Sequence, residues 1–187
     1  MLWSSSLFLA TYHPAYEVAG YNVSHRISNL LGYLLIVFFT VYGPRYSTLL
    51  VQGKIGEVKR LILRNCLVVF IVSLPISILV MYFGKDILAV FGDEYVSGYL
   101  SLVILVVGQL LANSVGSAEH ALLMSENKRM LLIGLLLTAL LSLPLGFLLI
   151  KNYGLIGASI STSMLLVFQK MYCFLIMVGK GKWIGAT

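Results

Sequence analysis

The stretch LSLVILVVGQLLANSVGSAEHALLM, residues 100–124, decides the fold. Leu100 to Val107 is apolar apart from Ser101. At ~1.5 Å of rise per residue, the segment from Gly98 to Met124 is long enough to cross a ~30 Å hydrocarbon core with some tilt. It also carries polar groups at helical spacing. Gln109, Asn113, Gly116 and His120 fall at i, i+4, i+7 and i+11, which is one face of a helix. Glu119 adjoins His120. A carboxylate in hydrocarbon costs about 2.5–3.5 kcal/mol on insertion scales, so it is expected to face protein or water. The segment reads as a membrane helix with one lipid-facing side and one wet or partnered side.

Composition agrees. The 187 residues are 59% hydrophobic and 11% charged, with a mean hydropathy of +0.96. A soluble domain carries about 25% charged residues, so this chain lacks the polar surface to face water. The apolar runs are long and do not alternate, which favours helices over a transmembrane barrel. The net charge of +6 raises the question of nucleic acid. The basic residues lie between apolar runs, where membrane topology accounts for them, so no nucleic-acid partner is expected. Cys66 and Cys173 lie inside apolar runs and read as small core hydrophobes. The start of the chain has no basic region of the kind a signal peptide needs.

Outward from residues 98–124, four further spans are expected at about 19–50, 61–83, 130–150 and 155–178. Residues 1–13 read as the tail of a partial helix, ended by His13-Pro14. Gln52 to Arg60 reads as a polar loop, Gly84 to Ser97 as a short amphipathic interfacial piece, and 125–129 and 151–154 as tight turns. Pro44, Pro75 and Pro144 lie within spans, where neighbouring groups satisfy the freed backbone. Lys54, Lys59, Arg60, Arg64, Lys128, Arg129, Lys180 and Lys182 fall on one side, against Lys85 and Lys151 on the other. The positive-inside rule then places the basic side, and the C-terminus, in the cytoplasm.

The candidate functional residues are the polar groups within spans. Asn22, Arg26 and Asn29 share a helical face with Tyr33. Gln109, Asn113, Glu119 and His120 come from the central segment, and Lys170 from the last. Each has a plain alternative. Arg26 either faces a polar partner or is an interfacial anchor at a helix start. Glu119 and His120 either pair with a neighbouring helix or line a transport path. Lys170 either faces that path or snorkels to the cytoplasmic surface. No HExxH, GxSxG, P-loop or dinucleotide fingerprint is present, so neither an enzyme, a metal site nor a cofactor is expected.

Four pieces in series resemble a known pattern. Glu17-Val18-Ala19-Gly20-Tyr21-Asn22-Val23-Ser24-His25-Arg26-Ile27 resembles the start of the second helix in Wzx-type polysaccharide (O-antigen) flippases. Pro44-Arg45-Tyr46-Ser47 is similar to their "P-x-x-s". Phe91-Gly92-Asp93-Glu94-Tyr95 resembles their "FG-x-x-Y", and the run Tyr153 to Thr162 resembles their turn into the sixth helix of a half. The order and spacing match the larger multidrug and polysaccharide exporter superfamily.

That resemblance implies an all-α, multi-pass membrane bundle: one six-helix MATE-like lobe with a truncated first helix, residues 1–187. It implies a part of a flippase in the cytoplasmic (inner) membrane, moving an undecaprenyl-diphosphate-linked oligosaccharide for lipopolysaccharide or other surface polysaccharide. Its implied partners are the bilayer, that lipid-linked substrate and the other lobe of the transporter. The alternatives are an ion-coupled multidrug exporter of the same fold and an inactive truncated remnant.

Overall fold

Pro14 starts the ordered helices. Its backbone is extended (φ −65°, ψ 155°), and its fixed ring geometry makes it a natural entry to a helix. The structure is a computed structural model that describes residues 14–125 and 128–179. All regular elements among them are helical. Residues 1–13, Glu126, Asn127 and the tail with Lys180, Lys182 and Trp183 lie outside the described residues, so the expected partial helix and the C-terminal basic cluster lie there too.

Helix α1 is Ala15–Val51 and contains Pro44 without interruption. Gly53, at φ 66°, reverses the chain, and its N–H bonds back to the Leu50 carbonyl at 3.0 Å. Only Gly, Asn or Asp adopt that left-handed geometry readily. Helix α2 follows as Ile55–Tyr82. The polar loop expected over Gln52 to Arg60 is therefore a three-residue turn, and Glu57, Lys59 and Arg60 are already helical. Helix α3 is Gly84–Phe91, then a 3₁₀ turn covers Asp93–Gly98. Between them Gly92 sits at φ 138°, a conformation closed to residues with a Cβ.

Helix α4 is Tyr99–Val115 and helix α5 is Ser117–Met124. The single span expected from Gly98 to Met124 is thus interrupted at Gly116, whose N–H reaches Asn113 O (3.3 Å) in a 3₁₀-type bond. Leu35 of α1 packs where a Gly116 side chain would stand. The backbone tightens there and keeps its direction (φ −67°, ψ −22°).

The rest is one helical assignment, α6, Lys128–Gly179, broken at Gly154 (φ 54°, ψ −128°). A straight helix of that length would run ~78 Å, far beyond a ~30 Å core. Instead it folds back. Gly157 lies against the backbone of Leu149 and Ile150, and Gly134 lies against the Tyr172 ring. Both pairs are centred on Tyr153, as in an antiparallel hairpin. We refer to residues 128–153 as arm 1 and 155–179 as arm 2.

The contacts fix directions. Ser24 meets Gly98, Asn113 meets the Leu31 carbonyl, and Phe39 stacks on His120. The numbers rise together, so α1 and α4–α5 are parallel. Ser101 with Ser159, Ile104 with Ser163 and Glu119 with Lys170 make arm 2 parallel to them as well. Helix α2 returns along α1, with Tyr46 beside Asn65 at one end and Ile27 and Leu31 clustered with Ile76 and Val80 toward the other.

The outer surface is apolar. Leu63, Leu67, Ile71 and Ile78 of α2, and Leu132, Leu136, Leu140 and Leu143 of arm 1, are all exposed. A continuous exterior of this kind is stable only with lipid as the solvent. Ser24, Ser28, Ser101, Asn113, Ser159 and Ser161 are instead buried between helices. This is an all-α membrane bundle, as the sequence leads one to expect.

Candidate substrate path

The central polar face points at α1. Gln109 Nε2 donates to Asn113 Oδ1 (3.1 Å), and Asn113 Nδ2 donates to the Leu31 carbonyl (2.8 Å). Asn113 is fully buried. Gly32 makes room for the amide of Gln109, which lies 2.8 Å from where a Cβ would be. Small residues permit close approach, and Asn113 then bonds across the seam while Gln109 bonds to it within α4. Asn113 joins α4 to α1, and Gln109 packs against Gly32 of α1.

Glu119 turns the other way, toward arm 2. Gln169 Nε2 donates to its Oε1 at 3.0 Å, and the Lys170 ammonium forms an ion pair with its Oε2. The two charged side chains keep only 17% and 19% exposure. Lys170 is therefore paired within the bundle and is not extended toward the end of its helix. Pairing inside the lobe spares both groups the cost of an isolated charge in a low-dielectric medium. His120 stacks on Phe39 with ring centroids 4.4 Å apart.

Beside that stack lies a small pocket walled by Leu35, Phe38, Phe39 and Tyr42, with Tyr46, Asn65, Ser117 and His120 supplying its polar side. Asn65 donates to the Tyr46 hydroxyl at 2.7 Å, and its carbonyl oxygen is buried with no hydrogen-bond partner. Both residues are buried. Among the described residues, no three metal-ligating side chains converge.

The third group sits at the opposite end of α1. Asn29 Nδ2 meets His25 Nδ1 at 2.8 Å, which draws Asn29 toward the buried His25. Asn22 is half-buried and Arg26 is exposed. Arg26 shares its outward face with Leu30, Tyr33, Val37 and Val41, all exposed. Phe39 is level with His120, and Arg26 precedes it by about three and a half turns, so Arg26 and the Glu119–Lys170 pair are ~20 Å apart along the axis. The structure brings together Gln109 with Asn113, and Glu119 with Lys170. It does not bring Arg26 to either pair.

Sequence reading passed over His25, Asn65 and Gln169 as site residues. Their signal was present: each is a hydrogen-bonding side chain inside a long apolar helix, where such groups are costly unless partnered.

Long apolar helices, buried amides and a part-buried ion pair together define a multi-pass α-helical membrane protein. The family model MatE matches residues 1–148, and the chain belongs to the MatE family, whose members are membrane transporters rather than enzymes. No curated protein and no solved structure matches the chain.

Proposed function

We propose that this chain is one lobe of a transporter that moves an undecaprenyl-diphosphate-linked oligosaccharide across the cytoplasmic membrane for cell-surface polysaccharide synthesis. The observation that carries this reading is the contrast between Arg26 and Glu119. A diphosphate calls for an accessible cation with several donors, and an arginine fork suits it. Arg26 is exposed near the end of α1 away from the basic turn. An ion-coupled drug exporter calls instead for a carboxylate free to exchange its counter-ion. Glu119 is held by Lys170 and Gln169.

In this reading Asn22, Arg26 and Asn29 receive the headgroup, and Glu119, His120 and Lys170 close the basic end. The other lobe supplies the facing wall, and the lipid tail stays in the bilayer. The basic turns, including Lys54 and Lys128, face the cytoplasm.

The test is replacement of the chromosomal copy in the source cell. Arg26→Ala and Arg26→Lys should both reduce surface polysaccharide at unchanged protein level, because lysine keeps the charge and loses the fork. Normal polysaccharide in Arg26→Ala would reduce Arg26 to an interfacial anchor. Normal polysaccharide with raised drug sensitivity after deletion of the whole chain would replace the flippase reading with the exporter reading.

A further inference from the structure

We infer that α3 is an in-plane membrane anchor whose outward flank, Phe83, Val90 and Phe91, inserts into the lipid interface on the side away from the basic turns. The inference is independent of what the lobe transports.

Helix α3 is pinned on one side. Leu88 is fully buried in the cluster of Ile27, Leu31, Leu102 and Val106. Gly84 is buried under the Tyr99 ring, which leaves only 3.0 Å to a would-be Cβ. The Tyr99 hydroxyl donates to the Met81 carbonyl at 3.0 Å, and Lys85 Nζ lies 5.3 Å above the Tyr99 ring. The helix therefore rests on the ends of α1 and α4 and does not swing free.

At roughly 100° per residue, Gly84 and Leu88 take the core side. Phe83, Ile87, Val90 and Phe91 fall on the adjoining flank, with Ile87 half-buried against the core cluster, and Lys85, Asp86 and Ala89 on the remaining one. The apolar flank is strongly exposed: 86% for Val90, 57% for Phe91 and 46% for Phe83. It is not isolated. It continues into Ile78, Leu79 and Tyr82, the exposed last turns of α2, which belong to the lipid-facing belt. The patch is thus an extension of an existing membrane surface. The charged residues lie elsewhere: Lys85 and Asp86 on their own flank, and Asp93 and Glu94 exposed beyond Gly92. One apolar flank and one charged flank at the level where a span ends is the geometry of a helix lying in the interface. Aromatic side chains such as Tyr82 and Phe83 suit the headgroup level.

The experiment is a cysteine scan of the full chain reconstituted in phosphatidylcholine vesicles. Single cysteines at Phe83, Asp86, Ala89, Val90 and Phe91 are spin-labelled and probed with oxygen and a water-soluble nickel chelate. Cys66 and Cys173 are buried and stay in place, with the unsubstituted chain as the labelling control. Labels at 83, 90 and 91 should favour oxygen and report a depth of ~5–10 Å below the headgroups. Labels at 86 and 89 should favour the nickel chelate. Two results would overturn the inference. One is nickel access at 90 and 91 equal to that at 86, meaning a flank in water. The other is poor access of both reagents at 90 and 91, meaning a flank covered by protein.

Discussion

The two ends of the bundle handle charge in opposite ways. At the basic end, the Glu119 carboxylate and the Lys170 ammonium, from helices 51 positions apart in sequence, meet inside the protein and leave little for solvent. At the other end, Arg26 stands exposed while its neighbours Asn29 and His25 satisfy each other. The first arrangement stabilises the fold. The second leaves a charge available to something outside it. Charge within a membrane helix is thus informative only together with its partners.

The largest expected effect breaks the closed end. Lys170→Ala leaves Glu119 without its counter-ion, which should destabilise the lobe by about 3 kcal/mol, the lower end of the range for a broken buried pair, because some water access remains. Thermal unfolding in detergent would measure it, and Glu119→Gln combined with Lys170→Met should recover most of the loss. An unchanged melting temperature in Lys170→Ala would mean that the pair is not closed. Gly108→Val should follow at about 1–3 kcal/mol, because a Cβ at Gly108 collides with Ser163 and the helices must part. Full stability in this variant would show that α4 and arm 2 are not in close contact.

A smaller effect is expected at Asn113→Leu. It removes the bond to the Leu31 carbonyl, and interhelical hydrogen bonds in membranes average about 0.6 kcal/mol, with about 1.7 kcal/mol at most. A loss well above that would mean that Asn113 does more than hold the seam. The smallest belongs to the open end. Arg26→Ala should change stability by less than about 0.5 kcal/mol while still impairing transport. A large loss of stability would show that Arg26 is as structural as Lys170 and would erase the contrast.

The fold class was legible because composition alone excludes a water-facing surface, and because Gln109, Asn113 and Gly116 mark one helical face regardless of tertiary context. Directions and partners were not. Lys170 near a helix end satisfies the requirements of snorkelling equally well, and only the folded chain shows Glu119 within reach. The same limit applies to Asn65 and Tyr46, whose bond joins two helices across a turn. Gly116 was visible as part of a stripe. That the helix is also interrupted there, with Leu35 of α1 packed where a side chain would be, shows only in the folded chain. Arg26 was located by its face, and its exposure follows from which side of α1 the other helices occupy.

The seam between α4 and arm 2 has a mechanical consequence. Ser101 with Ser159, Ser163 with the Ile104 carbonyl, and the bare surface of Gly108 fasten the two helices near one end. Glu119 of α5, past the tightening at Gly116, ties the continuation of α4 to arm 2 near the other. Ties at both ends, ~17 Å apart along arm 2, resist sliding of arm 2 along α4 and α5. The turns at Gly53, Gly92 and Gly154, where the backbone adopts angles that no ordinary helix uses, lie outside these ties and are left as the places where the helices can change direction.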